Sequence, residues 1–493
     1  MDKLKILMAA SEVVPFAKTG GLADVTGALP KALKALGHDV RIVMPRYYAI
    51  DKNSFKALDG ALGVDMGREG EAWALVLEGM LPDSDIPVYF IDHEAYFGRS
   101  GLYEEGGEAY ADNYQRFVFF SKAVMQLSKK LHFKPDIIHV NDWHTALIPL
   151  LLNTMYAHDS DFENTASVLT IHNLQHQGRF SKDVMEVLGI GWQNFNIYEL
   201  EDYDGVNLLK GGIVHTDALT TVSPKYSLEI RGPEFDWGLK NVINAHANKL
   251  HGILNGIDYD EWNPANDKYI AKNYDLNDLS GKKICKKELQ KIFNLPQRED
   301  VALIGFVGRL VEQKGISLIA QEIYRLMDLD IQIVLLGAGE KWAEDFFSHI
   351  SDIHRNKFAC YIGYRNDLAH KIEAGSDFFL MPSLFEPCGL NQLYSLSYAT
   401  LPIVRATGGL DDTIQNYDSL ENSGTGFKFY EASGEALYGT IVWAVDIWYN
   451  NKDAINMLIQ NGMKKHFGWD DTAMVYESVY YQALLHRRNR KKG

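Results

Sequence analysis

The feature that most constrains this chain is a recurring pair. A short, unbroken run of Val, Ile and Leu is followed by a stretch with apolar residues at helical spacing. Such runs occupy residues 4–9, 40–44, 88–91, 137–140, 168–171 and 218–222. A second series begins at 303–307 and continues at 331–336, 358–362, 378–381 and 403–404. Continuous runs suit parallel strands covered on both faces, and the helical stretches between them, 22–36 and 114–131 among them, suit crossover connections. The expected class is α/β, with two doubly wound domains in tandem. A length of 493 residues supports this, being too long for one core.

The domains are expected at 1–250 and 251–470, joined by a linker with turn chemistry from Gly252 to Asp258 and on through Trp262-Asn263-Pro264. An amphipathic C-terminal segment within 471–493 is expected to return to the first domain. The basic stretch from His486 to Lys492 suggests electrostatic docking, with a frayed, solvated terminus the favoured alternative. A net charge of −16 argues against nucleic acid or an anionic membrane as partner. Three cysteines without a CxxC pair fit a reducing, cytoplasmic setting, and no apolar stretch reaches membrane-spanning length. The first apolar run passes straight into Glu12 and Lys18, as a strand does and a signal peptide does not.

The polar clusters sit at strand ends, where ligands bind in open α/β sheets. Lys18-Thr19-Gly20-Gly21-Leu22-Ala23-Asp24 joins the first strand to the first helix. Two small residues admit a ligand to the backbone, the helix start presents N–H groups, and the lysine adds a full charge, as a phosphate site needs. A tight turn alone also needs glycine, so this loop by itself leaves both readings open. A second anion site, of different build, follows residue 307. There Arg309 and Lys314 share one strand-to-helix loop, a guanidinium fork and a point charge suited to a departing diphosphate. The third cluster runs from Pro382 to Gln392. In it Glu386 is placed to accept hydrogen bonds from sugar hydroxyls, and Cys388, Gly389, Leu390 and Asn391 are expected to turn N–H groups toward an anion. Cys388 is a candidate for thiol reagents, with plain backbone geometry the alternative. Thr407-Gly408-Gly409 repeats the glycine pair. No metal is expected: His139 and His144 flank Asp142 but straddle a strand end and should point apart.

These segments resemble the signatures of bacterial glycogen synthases and plant starch synthases, in order and over nearly the whole chain. Supporting segments are Asn141-Asp142-Trp143-His144, Thr170-Ile171-His172-Asn173, Leu254-Asn255-Gly256-Ile257-Asp258 and Thr407-Gly408-Gly409-Leu410. The resemblance implies a GT-B fold, two Rossmann-like domains with the active site in the cleft between them, which must close for both to act. It implies retaining transfer of glucose from a nucleotide sugar, ADP-glucose before UDP-glucose, to an α-1,4-glucan, with no cofactor. Matched position by position, Lys18 binds donor, with Gly20, Gly21 and Asp24 in its loop. Arg309 and Lys314 neutralise the diphosphate, and Glu386 and His172 lie at the reacting sugar. Tyr364 packs on the adenine, and Asp142 serves the acceptor side.

Two positions depart from the wider pattern. Tyr394 stands where many retaining GT-B enzymes carry a second glutamate, which narrows the branch to glycogen and starch synthases. Asn391 replaces a threonine, which bears on donor preference. Aromatic residues such as Tyr96, Trp143 and Trp237 are candidates for stacking on glucose rings, with core or surface packing the commoner role. Rival functions are a glucan phosphorylase dependent on pyridoxal phosphate and an inactive glucan- or nucleotide-binding module. No lysine has the context for the first, and a bare binder needs no leaving-group clamp.

Overall fold

The computed structural model describes residues 3–492 and divides them into two compact units. The first comprises residues up to Val222, Ser227–Ile253 and the C-terminal segment from Trp469; the second comprises Leu254–Gly468 with Ser223–Tyr226.

The first unit is built on a sheet whose strands, in spatial order, are Leu250–Gly252, Ala218–Thr221, Ala166–Ile171, Ile137–Asn141, Lys5–Ala9, Asp39–Pro45, Pro87–Asp92, Glu71–Met80 and Lys56–Ala57. The first seven run parallel; Glu71–Met80 and its neighbours pair antiparallel. The central strands Ile137–Asn141 and Ala166–Ile171 are buried along their whole length, as continuous apolar runs require. The antiparallel edge was not legible as such a run. Glu71–Met80 mixes Glu71 and Glu78 with apolar residues and leaves Trp73 and Leu75 half exposed, the signature of a sheet edge with one wet face.

The second unit is a six-stranded, all-parallel sheet: Phe358–Ile362, Ile331–Gly337, Ala302–Val307, Phe378–Met381, Leu401–Arg405, Phe427–Phe429. In chain order this is 3-2-1-4-5-6, the Rossmann arrangement. Alternate residues of one strand feed opposite cores. Ile304 and Phe306 pack with helices Ile316–Asp328 and Gly434–Asn450, while Leu303 packs on the other face with Ser280–Ile292 and Asn366–Gly375.

Two expectations need correction. The C-terminus is no frayed tail: helix Trp469–Lys492 buries Tyr476, Val479, Tyr480 and Ala483 against Ile6, Met8, Val40 and the first helix. Arg487 donates to Asn153 Oδ1 at 2.5 Å, and Arg490 donates to the His215 carbonyl at 3.0 Å. The side chains of Lys491 and Lys492 lie outside the described residues. Nor is the stretch around Trp262 a linker. Asx turns do form at Asp258 and Asn263, but Trp262 is sandwiched between His370 and Tyr394, ring centroids 3.8 and 3.9 Å away and ring planes nearly parallel. Tyr394, at the position of the missing glutamate, thus serves as one slice of an aromatic stack inside the second unit.

Candidate functional site

In each sheet the strand order reverses beside the first strand, and the loops leaving the two flanking carboxyl ends form the natural ligand crevice. In the first unit those loops follow Ala9 and Asn141. In the second they follow Val307 and Met381.

In the first unit, Gly20 caps helix Gly21–Ala35, and Lys18 is paired with Asp24 at 2.7 Å. A Cβ at either Gly20 or Gly21 would meet nothing within 4 Å, and neither has a positive φ. Their smallness therefore serves no neighbour inside the protein. The N–H groups expected to await an anion are partly committed, however. Buried Glu12 accepts from the Thr19 and Gly20 amides and from the Thr19 hydroxyl at 2.6 Å, and Tyr103 donates its hydroxyl to Glu12 at 2.7 Å. Glu12 escaped the sequence reading because a single acidic residue in a loop has no spacing to mark it as a helix-start acceptor.

Asp142 and His172 are brought together. Asp142, held at φ 54°, accepts the His172 amide at 2.7 Å, and His172 Nε2 lies 2.9 Å from Asn141 Oδ1. Because Asn141 Nδ2 donates to the Ala9 carbonyl, its oxygen faces the imidazole, so Nε2 carries the proton. The backbone N–H and Nε2 of His172 are thus engaged within the protein. Burial drives His172 down to about 3 and Asp142 up to about 7, leaving a neutral imidazole beside a carboxyl that titrates near neutrality. His139 and His144 point apart as expected. His139 lies between Tyr480 and Thr170, and His144 stacks on Tyr103.

In the second unit the loops after Val307 and Met381 are packed backbone on backbone. Gly315 has φ 71°, and a Cβ there would fall 2.0 Å from the Pro382 carbonyl oxygen. That closeness delivers Lys314 Nζ to Glu386 Oε2 at 2.6 Å, with Ser383 Oγ donating to the same oxygen at 2.9 Å. Buried Arg405 donates to the Ser383 carbonyl at 2.8 Å and to that of Leu384, pinning the loop from below. Arg309, more exposed, donates to Gln313 at 3.2 Å. Gly409 donates its amide to the Glu386 and Pro387 carbonyls at 3.1 and 3.2 Å, so Thr407-Gly408-Gly409 belongs to the same cluster. Gly389 sits at φ 73°, and Leu390 precedes helix Asn391–Ser397. Asn391 spends its amide on the Val307 carbonyl at 2.8 Å, fastening that helix to the strand end. Cys388 is not a reactive thiol: it is buried, and burial pushes it to about 12. Tyr364 stands away from this cluster, beyond edge strand Phe358–Ile362. It is 66% exposed, and its hydroxyl donates to Asn366.

Comparison with known proteins agrees with this architecture. Residues 5–245 match the family model "Starch synthase catalytic domain" and residues 287–465 match "Glycosyl transferases group 1". The chain is 54% identical to "Glycogen synthase 1" of Geobacter metallireducens, covering 100% of this chain and 98% of that protein. It is 46% identical to "Glycogen synthase" of Treponema denticola over 98% and 99% of the two. Among solved structures, the catalytic domain of starch synthase IV from Arabidopsis thaliana, bound to ADP and acarbose, superposes with a TM-score of 0.90 at 33% identity. It covers 98% of this chain and all of that one. Sucrose-phosphate synthase from Thermosynechococcus elongatus, at 16% identity and a TM-score of 0.59 over 97% and 99% of the two chains, shares the fold alone. Two Rossmann-like units of the GT-B type, matched end to end by these relatives, make the chain a member of the glycogen synthase and starch synthase family of glycosyltransferases.

Proposed function

We propose that the protein elongates an α-1,4-glucan, transferring glucose from ADP-glucose to the non-reducing end with retention of configuration. The observation that carries this is the 2.6 Å pair of Lys314 and Glu386, with Arg309 on the same loop, at the strand-order reversal of a Rossmann sheet. That location suits a nucleoside diphosphate, and the neighbouring carboxylate suits the hydroxyls of its sugar. The choice of ADP-glucose draws on the ADP held by the starch synthase IV structure.

Front-face displacement is the economical mechanism. The acceptor 4-hydroxyl oxygen bonds to the anomeric carbon on the side from which the diphosphate departs. The C1–O bond to phosphate breaks, and the hydroxyl proton passes to the departing phosphate oxygen. Arg309, Lys314 and Lys18 stabilise the charge that develops there. Glu386, fixed by Lys314 and Ser383, orients the sugar, and Asp142 with neutral His172 serves the acceptor side. Tyr364 offers its exposed ring to the adenine. No helix among the described residues is long and apolar enough to cross a membrane.

The test is incubation with ADP-glucose or UDP-glucose and a malto-oligosaccharide. One glucose should be added per nucleoside diphosphate released, with the new linkage α by NMR, and faster from ADP-glucose. Extension from UDP-glucose alone would overturn the donor; no extension from either would overturn the function.

A further inference from the structure

Helix Gly21–Ala35 begins without a cap of its own. Its N-cap, Gly20, has no side chain, and its third residue is Ala23, which cannot reach back as the glutamate of a capping box does. The acceptor comes instead from Glu12, just past the first strand and 4% exposed. Glu12 Oε2 accepts from the Thr19 amide and, at 3.3 Å, from that of Gly20. Oε1 accepts from the hydroxyls of Thr19 at 2.6 Å and Tyr103 at 2.7 Å. Four donors on one side chain call for the four lone-pair sites of a carboxylate.

This grip has a fixed base. The Glu12 carbonyl accepts from Thr26 Oγ1 at 2.6 Å, and the Val14 amide donates to the Ala23 carbonyl at 3.1 Å. A Cβ on Gly27 would lie 2.9 Å from the Val14 carbonyl oxygen, so strand exit and helix are packed backbone against backbone. Lys18 belongs to the segment between them, and the residue after it is the one that Glu12 holds by both amide and hydroxyl. An ordinary N-cap side chain would project from position 20, where a Cβ meets nothing. Glu12 reaches the same turn from the buried side and leaves that position bare. Nor does it take the amides of Gly21 and Leu22, the helix's own first N–H groups.

We infer that Glu12 is a positioning residue for the nucleotide-sugar donor: it holds the Lys18–Gly20 turn from behind, so that the lysine and the first helix amides are presented to the diphosphate. Presentation matters because charge-stabilising groups act through being held in place beforehand, and a shift of about 1 Å in such a group is costly. That the ligand is a nucleoside diphosphate sugar rests on the function proposed above. That Glu12 sets the turn rests on the hydrogen bonds alone.

The test compares the full chain with Glu12→Ala, Glu12→Gln and Thr19→Val. Glu12→Ala should raise the ADP-glucose KM about tenfold and leave the maltoheptaose KM within about twofold. A loss of stability alone would reduce the active fraction, and so kcat, without moving either KM. Glutamine has the same reach. Its oxygen can accept both amides while its NH2 group donates to the two hydroxyl oxygens, so Glu12→Gln should return the donor KM to within about threefold. Calorimetric titration of ADP, without glucan, should give Kd values in the same order. Thr19→Val, at an exposed position, keeps the test open if Glu12→Ala proves unstable, and should raise the donor KM and the ADP Kd about threefold. Equal rises in both KM values would overturn the positioning role, and so would a Glu12→Gln variant as impaired as Glu12→Ala. Unchanged donor KM and ADP Kd in folded Glu12→Ala, while the unsubstituted enzyme extends glucan, would overturn that role alone. Glu12-dependent ADP binding by a protein that extends nothing would overturn the function and leave the positioning role standing.

Discussion

The two units each carry a glycine pair at a strand-to-helix turn, and the pairs sit in opposite surroundings. At Gly408-Gly409 the protein itself occupies the space. Added Cβ atoms would fall 2.0 Å from the carbonyl oxygens of Glu386 and Cys388, so the pair is what allows two loops to pack backbone on backbone. At Gly20-Gly21 a Cβ would meet nothing. The same dipeptide is a packing device in the second unit, whereas in the first it leaves open space beside a helix start. A motif read from sequence cannot separate these uses; the third dimension does so at once.

The sharpest way to break this comparison is Gly409→Ala. The backbone of Cys388 stands within 2.6 Å of the new methyl and cannot swing aside as a side chain could, so the variant should lose at least about 3 kcal/mol of stability or fail to fold, read by urea unfolding. A mild effect would mean that the loop cluster around Glu386 is looser than its contacts imply. Next comes the charge that this packing delivers. Lys314→Ala and Arg309→Ala should each lower turnover roughly a hundredfold to a thousandfold with the fold retained, measured as glucan extension and circular dichroism. Near-normal turnover in either would remove the second unit's claim to the leaving group.

A smaller effect separates the carboxyl and imidazole of the first unit. Asp142 is raised to about 7, so its contribution to stability is full below its unfolded value and is lost as pH rises through about 7. His172, lowered to about 3, contributes fully above its unfolded value of 6.5 and loses that contribution as pH falls toward 3. Between pH 4 and 7 the two oppose each other. Asp142→Asn, which tolerates the left-handed backbone, should therefore gain stability from pH 5 to 7 more steeply than the unsubstituted protein. Denaturant midpoints at three pH values would check the sign. The smallest stability effect belongs to Gly21→Ala: within about 0.5 kcal/mol, and upward if anything, since alanine favours a helix. The same variant should raise the donor KM about tenfold if the open space serves the ligand. A stability loss comparable to that of Gly409→Ala would erase the contrast.

How much was legible follows the range of the interactions involved. Central strands announced themselves because burial on both faces demands unbroken apolar runs, whereas the half-wet edge strand Glu71–Met80 did not. The anion-type loops at Lys18, Arg309 and Glu386 were visible because charge, glycine and strand ends lie close together in the chain. Glu12 was hidden: its partners Thr19 and Tyr103 reach it only after folding. Trp262 was misassigned to a linker because Asx-turn residues surround it, while the rings that bury it come from residues 370 and 394.

By itself, then, the chain's local pattern determined the class of fold, the number of Rossmann-like sheets and the residues that carry charge to strand ends, because periodicity and turn chemistry act over a few residues. Only the tertiary structure decided which of those groups meet. Lys314 and Glu386 stand 72 positions apart and touch because Gly315 lets one loop lie against another. Whether a glycine opens space or closes it, and whether a cysteine or an aspartate is reactive or buried, likewise depends on neighbours that chain order does not record.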